Sequence, residues 1–400
     1  MIAWRNLWRN RRRTLFTAGS IAFACVLLMF SRSMQLGSYQ GMIEGATDLL
    51  SGHLQVQRQE FLDDPKLEYL IGDAAALTAS LQQQAGVRVV APRAQGFALL
   101  SVDERGFGAQ VLGVDPVAER AISTMPEAVI AGRYLEQGDE AFIGRILARN
   151  LGAEVGDELV ILGSGPQGGV AALALTVVGI FETGQAELDR ALVEVPLDVF
   201  QQGFYLDDEV HQLVLQLDDL DLVPATATAL SAQLPAGLVV RSWQALMPEV
   251  VQAIALDRIS ARLFYSILTL VVLFSIVNTF IMTVFERTRE FGMLLAIGMH
   301  PWRVIAMLQI EALWMAILGG LMGGLLAIAP LSWLILSGIP MAGLEELAAG
   351  FAFPSHLKGD FSWSEMFAVP LIFIVGCQLA AFFPGLRVRR LQPVEALRAD

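Results

Sequence analysis

Four long segments without a charged side chain constrain the fold of this chain most strongly. They are Thr14–Ser31, Leu263–Phe285, Ala312–Leu344 and Met366–Leu386. A helix needs about 20 apolar residues to cross the hydrocarbon core of a bilayer, so we predict four transmembrane helices. The first segment reaches that length if Arg32 extends its guanidinium group to the interface. Helical periodicity continues from it to about Leu50, which argues against a cleaved signal peptide.

A large acidic insert separates the first two apolar segments. Residues 40–257 contain 31 Asp and Glu against 11 Arg and Lys. The segments at the other ends of the spans, Met1–Arg13, Glu286–Arg303 and Arg387–Asp400, hold 12 basic residues against four acidic ones. The positive-inside bias therefore predicts cytoplasmic termini, a cytoplasmic loop between the second and third spans, and an insert outside the membrane.

The insert has the alternating patterns of a mixed α/β domain. Helical periodicity predicts helices at Asp73–Ala85, Glu140–Leu151 and Leu222–Leu234. Glycine-rich residues 163–169 predict a hairpin tip between two strands. Strands are predicted at Leu54–Gln57, Val87–Val90, Ala98–Val102, Glu158–Leu162, Leu173–Phe181, Ala191–Val195, His211–Leu217 and Leu238–Arg241.

Composition excludes several chemistries. The chain has two lysines, Lys66 and Lys358, and neither lies in a phosphate-binding GxxxxGK[ST] loop, so the chain is not expected to hydrolyse ATP. Its four histidines show no metal-ligand spacing, and we predict no metal site and no catalytic residue. The net charge of −13 disfavours nucleic acid as a partner. Charged residues occur only at the ends of the spans, which argues against an ion-coupled carrier.

Polar and small residues within the spans predict helix packing. Asn278 lies near the middle of the second span, where an interhelical hydrogen bond is expected. Gly319, Gly320, Gly323 and Gly324 form two overlapping small-xxx-small pairs in the third span. Such pairs allow close approach of helices within one subunit or across a dimer.

The basic N-terminus and the loop between the second and third spans are amphipathic. Trp4 and Trp8 share one helical face and Arg5 and Arg9 lie beside it, which predicts a helix in the membrane interface. The loop sequence FERTREFGMLLAIG at 285–298 combines a charged start with helix-spaced apolar residues, and this pattern suits docking into a groove of a partner. The residues that we assign to this docking motif are Glu286, Arg287, Arg289, Glu290, Phe291, Gly292, Leu295 and Gly298.

These two motifs and the terminal PVEALR at 393–398 resemble, in the same order, the FtsX-like ABC transporter permease family. That family includes the lipoprotein-releasing LolC and LolE subunits and MacB-type exporters. The resemblance implies a type VII ABC architecture: an α-helical membrane protein with four transmembrane helices and a large extracytoplasmic mixed α/β domain between helices 1 and 2. It also implies an inner-membrane permease subunit that works by mechanotransmission.

The resemblance further implies the partners. A separate LolD- or MacB-like ATPase subunit would bind ATP and Mg²⁺, this chain would bind no cofactor, and residues 286–298 would be the coupling helix. A second permease copy or a homologue would complete a dimer, and a periplasmic lipoprotein chaperone or adaptor would complete the system. The substrate implied is a lipoprotein or another lipophilic molecule. Small-molecule efflux of the MacB type, and FtsX-like regulation of a cell-wall hydrolase without transport, remain alternatives.

The predicted organisation follows from the spans and motifs together. It consists of an interfacial helix at 1–13, transmembrane helix 1 and a stalk at 14–50, a periplasmic α/β domain at 51–250, a stalk and transmembrane helix 2 at 251–285, a coupling helix at 286–303, transmembrane helix 3 at 304–337, a periplasmic loop at 338–365, transmembrane helix 4 at 366–386, and a cytoplasmic tail at 387–400.

Overall fold

The computed structural model of the chain describes residues 11–166, 168–340 and 356–390. These residues form two compact units. The helical unit contains residues 11–40, 254–340 and 356–390, and the α/β unit contains residues 41–253.

The helices are, in chain order, α1 (Arg11–Ala46), α2 (Ala74–Gln82), α3 (Pro116–Ile122), α4 (Arg145–Leu151), α5 (Ala186–Ala191), α6 (Leu197–Phe204), α7 (Val223–Ser231), α8 (Trp243–Leu246), α9 (Pro248–Glu286), α10 (Thr288–Ala296), α11 (Pro301–Leu336) and α12 (Trp363–Leu386). A π-helical turn at Thr47–Ser51 extends α1. The residues of α1 and of α9 are divided between the two units.

The strands are β1 (Leu54–Arg58), β2 (Val87–Val102), β3 (Arg105–Val114), β4 (Val129–Gly132), β5 (Glu140–Gly144), β6 (Glu158–Ser164), β7 (Val170–Phe181), β8 (Leu192–Pro196), β9 (Gln212–Leu217), β10 (Leu238–Ser242), β11 (Ile339–Pro340) and β12 (His356–Leu357). The last two form a small antiparallel pair in the helical unit. The first ten form one sheet in the order β10-β1-β9-β2-β3-β8-β5-β7-β4, with β6 paired to β2 and β7.

Four helices are long and apolar enough to cross a membrane, as the sequence predicts. These spans lie at Thr14–Ser51, Pro248–Glu286, Pro301–Leu336 and Met366–Arg389. The third continues through Pro330 and ends at Leu336. Gly338 follows with a φ of 67°, a left-handed conformation that glycine adopts without steric cost.

The sheet is mixed, with parallel pairing between β3 and β8 and between β5 and β7. One of its faces carries an apolar core that includes Leu100, Val111, Ile143 and Ile161. Two phenylalanines of α6, Phe200 and Phe204, stack with ring centroids 4.2 Å apart and close this core. Burial of such side chains stabilises the unit at about 25 cal/mol per Å² of apolar surface.

Four strands of the sheet, β2, β3, β4 and β5, differ from the prediction, and β4 is an unpredicted strand that pairs with β7. Glu140–Gly144 is strand β5 and not the start of a helix, because its residues insert between β7 and β8. The two strands predicted at Val87–Val90 and Ala98–Val102 are parts of one long strand, β2. Strand β3 was absent from the prediction, although it pairs with β2 along its whole length.

Two glycines of α11 bring this helix against α1 in the helical unit. A Cβ atom on Gly319 would stand 2.7 Å from Cβ of Ile21, and one on Gly323 would stand 2.6 Å from Cβ of Cys25. The other two glycines do not share this contact: a Cβ on Gly320 would meet Pro370 at 3.4 Å, and one on Gly324 would meet nothing within 4 Å. The stripe is therefore divided between two faces of α11.

Asn278 is exposed on α9 and forms no hydrogen bond within residues 11–166, 168–340 and 356–390. The interhelical hydrogen bond expected of its side chain stays a prediction.

Adjacent glycines of α11 provide a matched test of this packing. We expect Gly323→Ala to destabilise the chain by about 1–3 kcal/mol, because the added methyl group overpacks the contact with α1. Gly324→Ala adds the same methyl group where space is open and should leave stability unchanged. Thermal unfolding of both variants in detergent measures the difference, and equal midpoints would contradict the packing argument.

Candidate coupling site

Helix α10 lies between two spanning helices and has a defined end. Gly298 has a φ of 94°, and its N–H donates to the carbonyl oxygen of Leu295 at 3.0 Å. The N–H of Met299 donates to the carbonyl oxygen of Leu294, also at 3.0 Å. These two bonds form a Schellman motif, which satisfies the last carbonyl groups of a helix and favours glycine at this position. The chain then enters α11, where the Nδ1 atom of His300 accepts from the N–H of Trp302.

Arg287 connects α10 to α11 and does not point into solvent. Its Nε atom donates to Glu290 at 2.9 Å, and its Nη1 atom donates to both carboxylate oxygens of Glu311 at 3.0 and 3.2 Å. The guanidinium group also lies 5.1 Å from the ring centroid of Phe291. The side chains of Arg287 and Glu311 are 11% and 7% exposed. This buried pair therefore holds α10 in one orientation against α11.

The inward face of α10 is part of the apolar packing of the helical unit. Phe291 is fully buried and packs in a cluster with Val284, Val304 and Leu308. Gly292 is buried, and Leu295 is partly buried against the same cluster. The expectation that the apolar residues of this motif dock into a partner is therefore wrong for Phe291, because the chain itself covers its side chain.

The outward face of α10 consists of other residues of the motif. Arg289 and Met293 are exposed four residues apart on one side of α10. Glu286 at the end of α9 and Ile297 directly after α10 are exposed as well. Ile297 is 83% exposed, which is unusual for an isoleucine in a short helical segment. Glu290 is intermediate, because it bonds to Arg287 while 37% of its side chain stays exposed. This outward face, defined by Glu286, Arg289, Met293 and Ile297, is the part of α10 that a partner can reach.

Two arginines from the last described turn border α10 and its neighbours. Arg389 lies 4.8 Å from the ring centroid of Trp302, and Arg387 lies 5.3 Å from that of Phe285. Cation–π contacts of this kind contribute about 0.5–1 kcal/mol at exposed sites. The predicted interface residues Trp4, Arg5, Trp8 and Arg9 and the motif at 393–398 lie outside the described residues.

A second structured site lies in the α/β unit, where the π-turn ends the helix that began as α1. The last carbonyl groups of a helix have no partner within it and must be satisfied by other groups. Here each of the four is satisfied: Asp48 accepts from the N–H of Thr124, Leu49 from Oγ of Ser123, Leu50 from Nη1 of Arg93, and Ser51 from Nε2 of Gln55. We call this arrangement the helix-end joint.

Glycine is required where the chain leaves the joint. Gly52 has a φ of 61°, and a Cβ atom there would stand 2.4 Å from Cγ1 of Val214. Nε2 of Gln216 adds a bond of 2.8 Å to the side chain of Asp48. The helix end is thus bound to β1, β2, β9 and the segment after α3.

A buried ion pair supports the joint. The guanidinium group of Arg93 donates to Glu119 at 2.6 and 3.0 Å, and both side chains are at most 3% exposed. Nearby, the hydroxyl of Tyr134 donates to Glu194 at 3.1 Å. Burial, and then repulsion from Glu119, raise the pKa of Glu194 to about 8. The buried surroundings of Glu194 thus favour its neutral form, and Arg93 forms its ion pair with Glu119.

A cavity of about 650 Å³ lies beside the joint. Its sheet side presents Gln55, Arg93, Gln95, Gln110 and Gln212. The amides of Gln95, Gln110 and Gln212 are joined by hydrogen bonds of 3.0 and 3.3 Å. No group of three or more His, Cys, Asp or Glu residues is placed to hold a metal ion within the described ranges.

The residues that hold these two sites together carry little signal in the sequence. The exception is Glu311, because a carboxylate beside a long apolar run indicates a buried partner. Arg93, Ser123 and Gln55 carried no local signal, because they meet the helix end only in the folded sheet.

Two family profiles match this chain. The MacB-like periplasmic core domain matches residues 14–233, and the FtsX-like permease C-terminal domain matches residues 262–393. Together they include the α/β unit up to α7 and the segment that contains α10.

Similar proteins were found among characterised sequences and solved structures. The LolC transmembrane protein of the lipoprotein-releasing system of Neisseria meningitidis is 25% identical over 97% of this chain and 94% of its own length. The pyoverdine export ATP-binding/permease protein PvdT of Pseudomonas entomophila is 24% identical over 100% of this chain and 59% of its own length. The periplasmic region of MacB from Actinobacillus actinomycetemcomitans aligns with 53% of this chain and 95% of its own, at 10% identity and a TM-score of 0.39.

The match to the periplasmic core profile extends over more than half of the chain, and the permease profile matches most of the remainder. The expected fold class is confirmed: four candidate transmembrane helices, with a periplasmic-type α/β domain between the first and second. The chain therefore belongs to the FtsX-like permease family of ABC transporter subunits, with a MacB-like periplasmic core domain ahead of its permease domain.

Proposed function

We propose that the chain is the membrane subunit of a mechanotransmission transporter, in which a separate ATPase subunit supplies the energy. The ATPase binds ATP and Mg²⁺, and this chain converts its motion into movement of the α/β unit. The observation that carries the proposal is the division of α10 into two faces. One face is locked to the chain by Arg287 and Glu311, and the other exposes Met293 and Ile297.

The proposed docking surface is the outward face of α10. Exposed apolar side chains flanked by Glu286 and Arg289 suit a groove that has an apolar floor and a charged rim. Because Arg287 fixes α10 to α11, a force applied to this face passes directly into a spanning helix. Arg287, Glu290, Phe291 and Gly298 then act as positioning residues, and Glu286, Arg289, Met293 and Ile297 make the contact.

Docking through this face predicts the effect of a charge at its most exposed apolar position. Ile297→Asp should weaken binding of the partner ATPase by roughly 30-fold, since a central interface side chain typically contributes about 2 kcal/mol. Val117→Asp is the matched control, because Val117 is 78% exposed but lies in the α/β unit. Co-purification with the ATPase, quantified by titration, measures the affinity. Equal affinity of the two variants would remove α10 as the docking site.

The proposed route of motion passes through α1 to the helix-end joint. Four capped carbonyl groups make the joint stiff, since each buried carbonyl left without a donor costs about 1–3 kcal/mol. A displacement of α1 therefore moves β1 and β2 with it and does not dissipate at the helix end. This coupling requires no polar path for substrate through the spans.

The joint can be loosened without removing a charge. Gln55→Leu should lower the amount of substrate released per ATP hydrolysed, because Ser51 loses its donor, while ATPase binding is retained. Gln95→Leu is the control, because Gln95 lies on the same sheet but bonds to other glutamines. The measurement is the ratio of release to ATP hydrolysis in vesicles with the partner ATPase. The same ratio for both variants would show that the joint carries no motion.

We further propose that the chain lies in the inner membrane with both termini in the cytoplasm and the α/β unit in the periplasm. The distribution of arginine supports this orientation.

Cysteine at Gln202 should then react with an impermeant thiol reagent in spheroplasts, whereas cysteine at Arg289 should react only after permeabilisation. Native Cys25 and Cys377 are buried and give little background. The reverse pattern would invert the topology.

A second permease, identical or homologous, completes the proposed assembly. The second span is the least buried of the four, and Asn278 is exposed on it without a partner in the described part of the chain. An amide side chain at the centre of a span favours a helix that can return its hydrogen bond. Cross-linking between cysteines introduced at Asn278 of two subunits checks this contact, and its absence in active complexes would place the interface elsewhere.

The proposed substrate is a lipoprotein, in keeping with the name of the LolC relative, which aligns over nearly its full length. Vesicles that contain this chain and its ATPase should release an acylated reporter protein to a periplasmic acceptor chaperone when ATP is supplied. The same reporter without its lipid should not respond to ATP.

Export of a small molecule is the second candidate, because PvdT aligns over the whole of this chain. ATP-driven export of a siderophore with no effect on the acylated reporter would favour it.

A further inference from the structure

A cleft of about 730 Å³ opens in the helical unit between α1, α9 and α12. Three arginines line one part of it, Arg32 on α1 and Arg258 and Arg262 on α9. Another part is apolar, with Leu273 of α9 and Val369 and Ile372 of α12. The cleft therefore has a cationic part and an apolar part.

The polar part of the cleft is organised by one carboxylate. Asp257 accepts from the hydroxyl of Tyr39 at 2.6 Å and from Nε2 of Gln35 at 2.9 Å. Gln35 in turn accepts from Nη1 of Arg32 at 2.9 Å. Asp257 is thus hydrogen-bonded to neutral groups and does not form an ion pair with the arginines of α9 anywhere in the described ranges.

Two of the three guanidinium groups lie beside aromatic rings. Arg258 stacks on Tyr39 with 5.3 Å to the ring centroid, and Arg32 stacks on Tyr265 at 5.8 Å. Both arginines of α9 have exposed side chains and occupy positions four residues apart, on one side of the helix. Arg258 and Arg262 form no ion pair among the residues that the structure describes, so their two positive charges are available at this end of the cleft.

The depth of these charges matches the level of lipid phosphates. Arg32 follows the first apolar run, Thr14–Ser31, and Arg262 precedes the second, Leu263–Phe285. Both therefore lie where a span meets the headgroup region, at the same end of the two helices. Leu273 lies 11 residues further along α9 than Arg262, or about 16 Å deeper at 1.5 Å per residue. That distance suits an acyl chain.

We propose that this cleft binds an anionic phospholipid. Arg258 and Arg262 hold the phosphate, Arg32 adds positive potential, and an acyl chain lies along Leu273, Val369 and Ile372. Charge complementarity selects an anionic lipid over a zwitterionic one, and the apolar wall selects a lipid over a soluble phosphate. The bound lipid touches α1, α9 and α12 together and so belongs to the resting structure of the subunit. The site is independent of the substrate that is transported.

Native mass spectrometry of the detergent-purified full-length chain tests the proposal, with phosphatidylglycerol and phosphatidylethanolamine of identical acyl chains as probes. Phosphatidylglycerol should bind the unmodified chain at least tenfold more tightly. The double variant Arg258→Gln, Arg262→Gln should weaken its binding roughly 30-fold, at about 1 kcal/mol for each basic residue near a lipid surface. Binding of phosphatidylethanolamine should not change.

The control variant removes two other exposed arginines, Arg289→Gln with Arg303→Gln, and should retain the preference. A further variant, Ile372→Trp, fills the apolar part and should weaken phosphatidylglycerol binding without any change of charge. Equal binding of the two lipids, or an equal loss in the control, would overturn the proposal. So would displacement of the lipid by glycerol 3-phosphate at the same concentration, since that result would identify a site for soluble anions.

Discussion

The satisfied end of the first long helix is the interaction on which the rest of this structure depends. A spanning helix carries its own backbone hydrogen bonds until it ends, and its last four carbonyl groups then need external donors. Here those donors come from β1, β2 and the segment after α3. The positive charge of Arg93 is also favourable at the negative end of the helix dipole. A helix that is apolar at its start thus becomes a structural part of the sheet at its end.

Helix α10 is also held by an arginine, but one of its sides is exposed. Arg287 is surrounded by Glu290, Glu311 and the ring of Phe291, so a short helix of nine residues is held by one charged group and a few apolar contacts. Removing one partner of such a pair leaves a buried charge, which costs about 3–5 kcal/mol. The charge is therefore part of the scaffold, whereas Met293 and Ile297 are exposed.

Much of the helical unit could be predicted because its signals are local. An apolar run has one stable conformation in a bilayer, the helix. Gly298, three residues before Pro301, favours the end of one helix and the start of the next. The α/β unit was predicted less well. Glu140–Gly144 has the spacing of a helix, but burial between β7 and β8 favours a strand, because tertiary packing outweighs local propensity over so few residues.

The sequence by itself determined the number of spans, the lack of a phosphate-binding loop, the family, and the position of the charged amphipathic segment at 285–298. Only the tertiary structure decided which side of that segment faces outward, because Phe291 and Ile297 are equally apolar and a helix of nine residues can turn either one inward. Only the tertiary structure paired Arg287 with Glu311 and brought Gln55, Arg93 and Ser123 to one helix end. The bonds from Arg93 and Ser123 join residues 43 and 74 positions apart, and such pairs meet only when the whole sheet has its register.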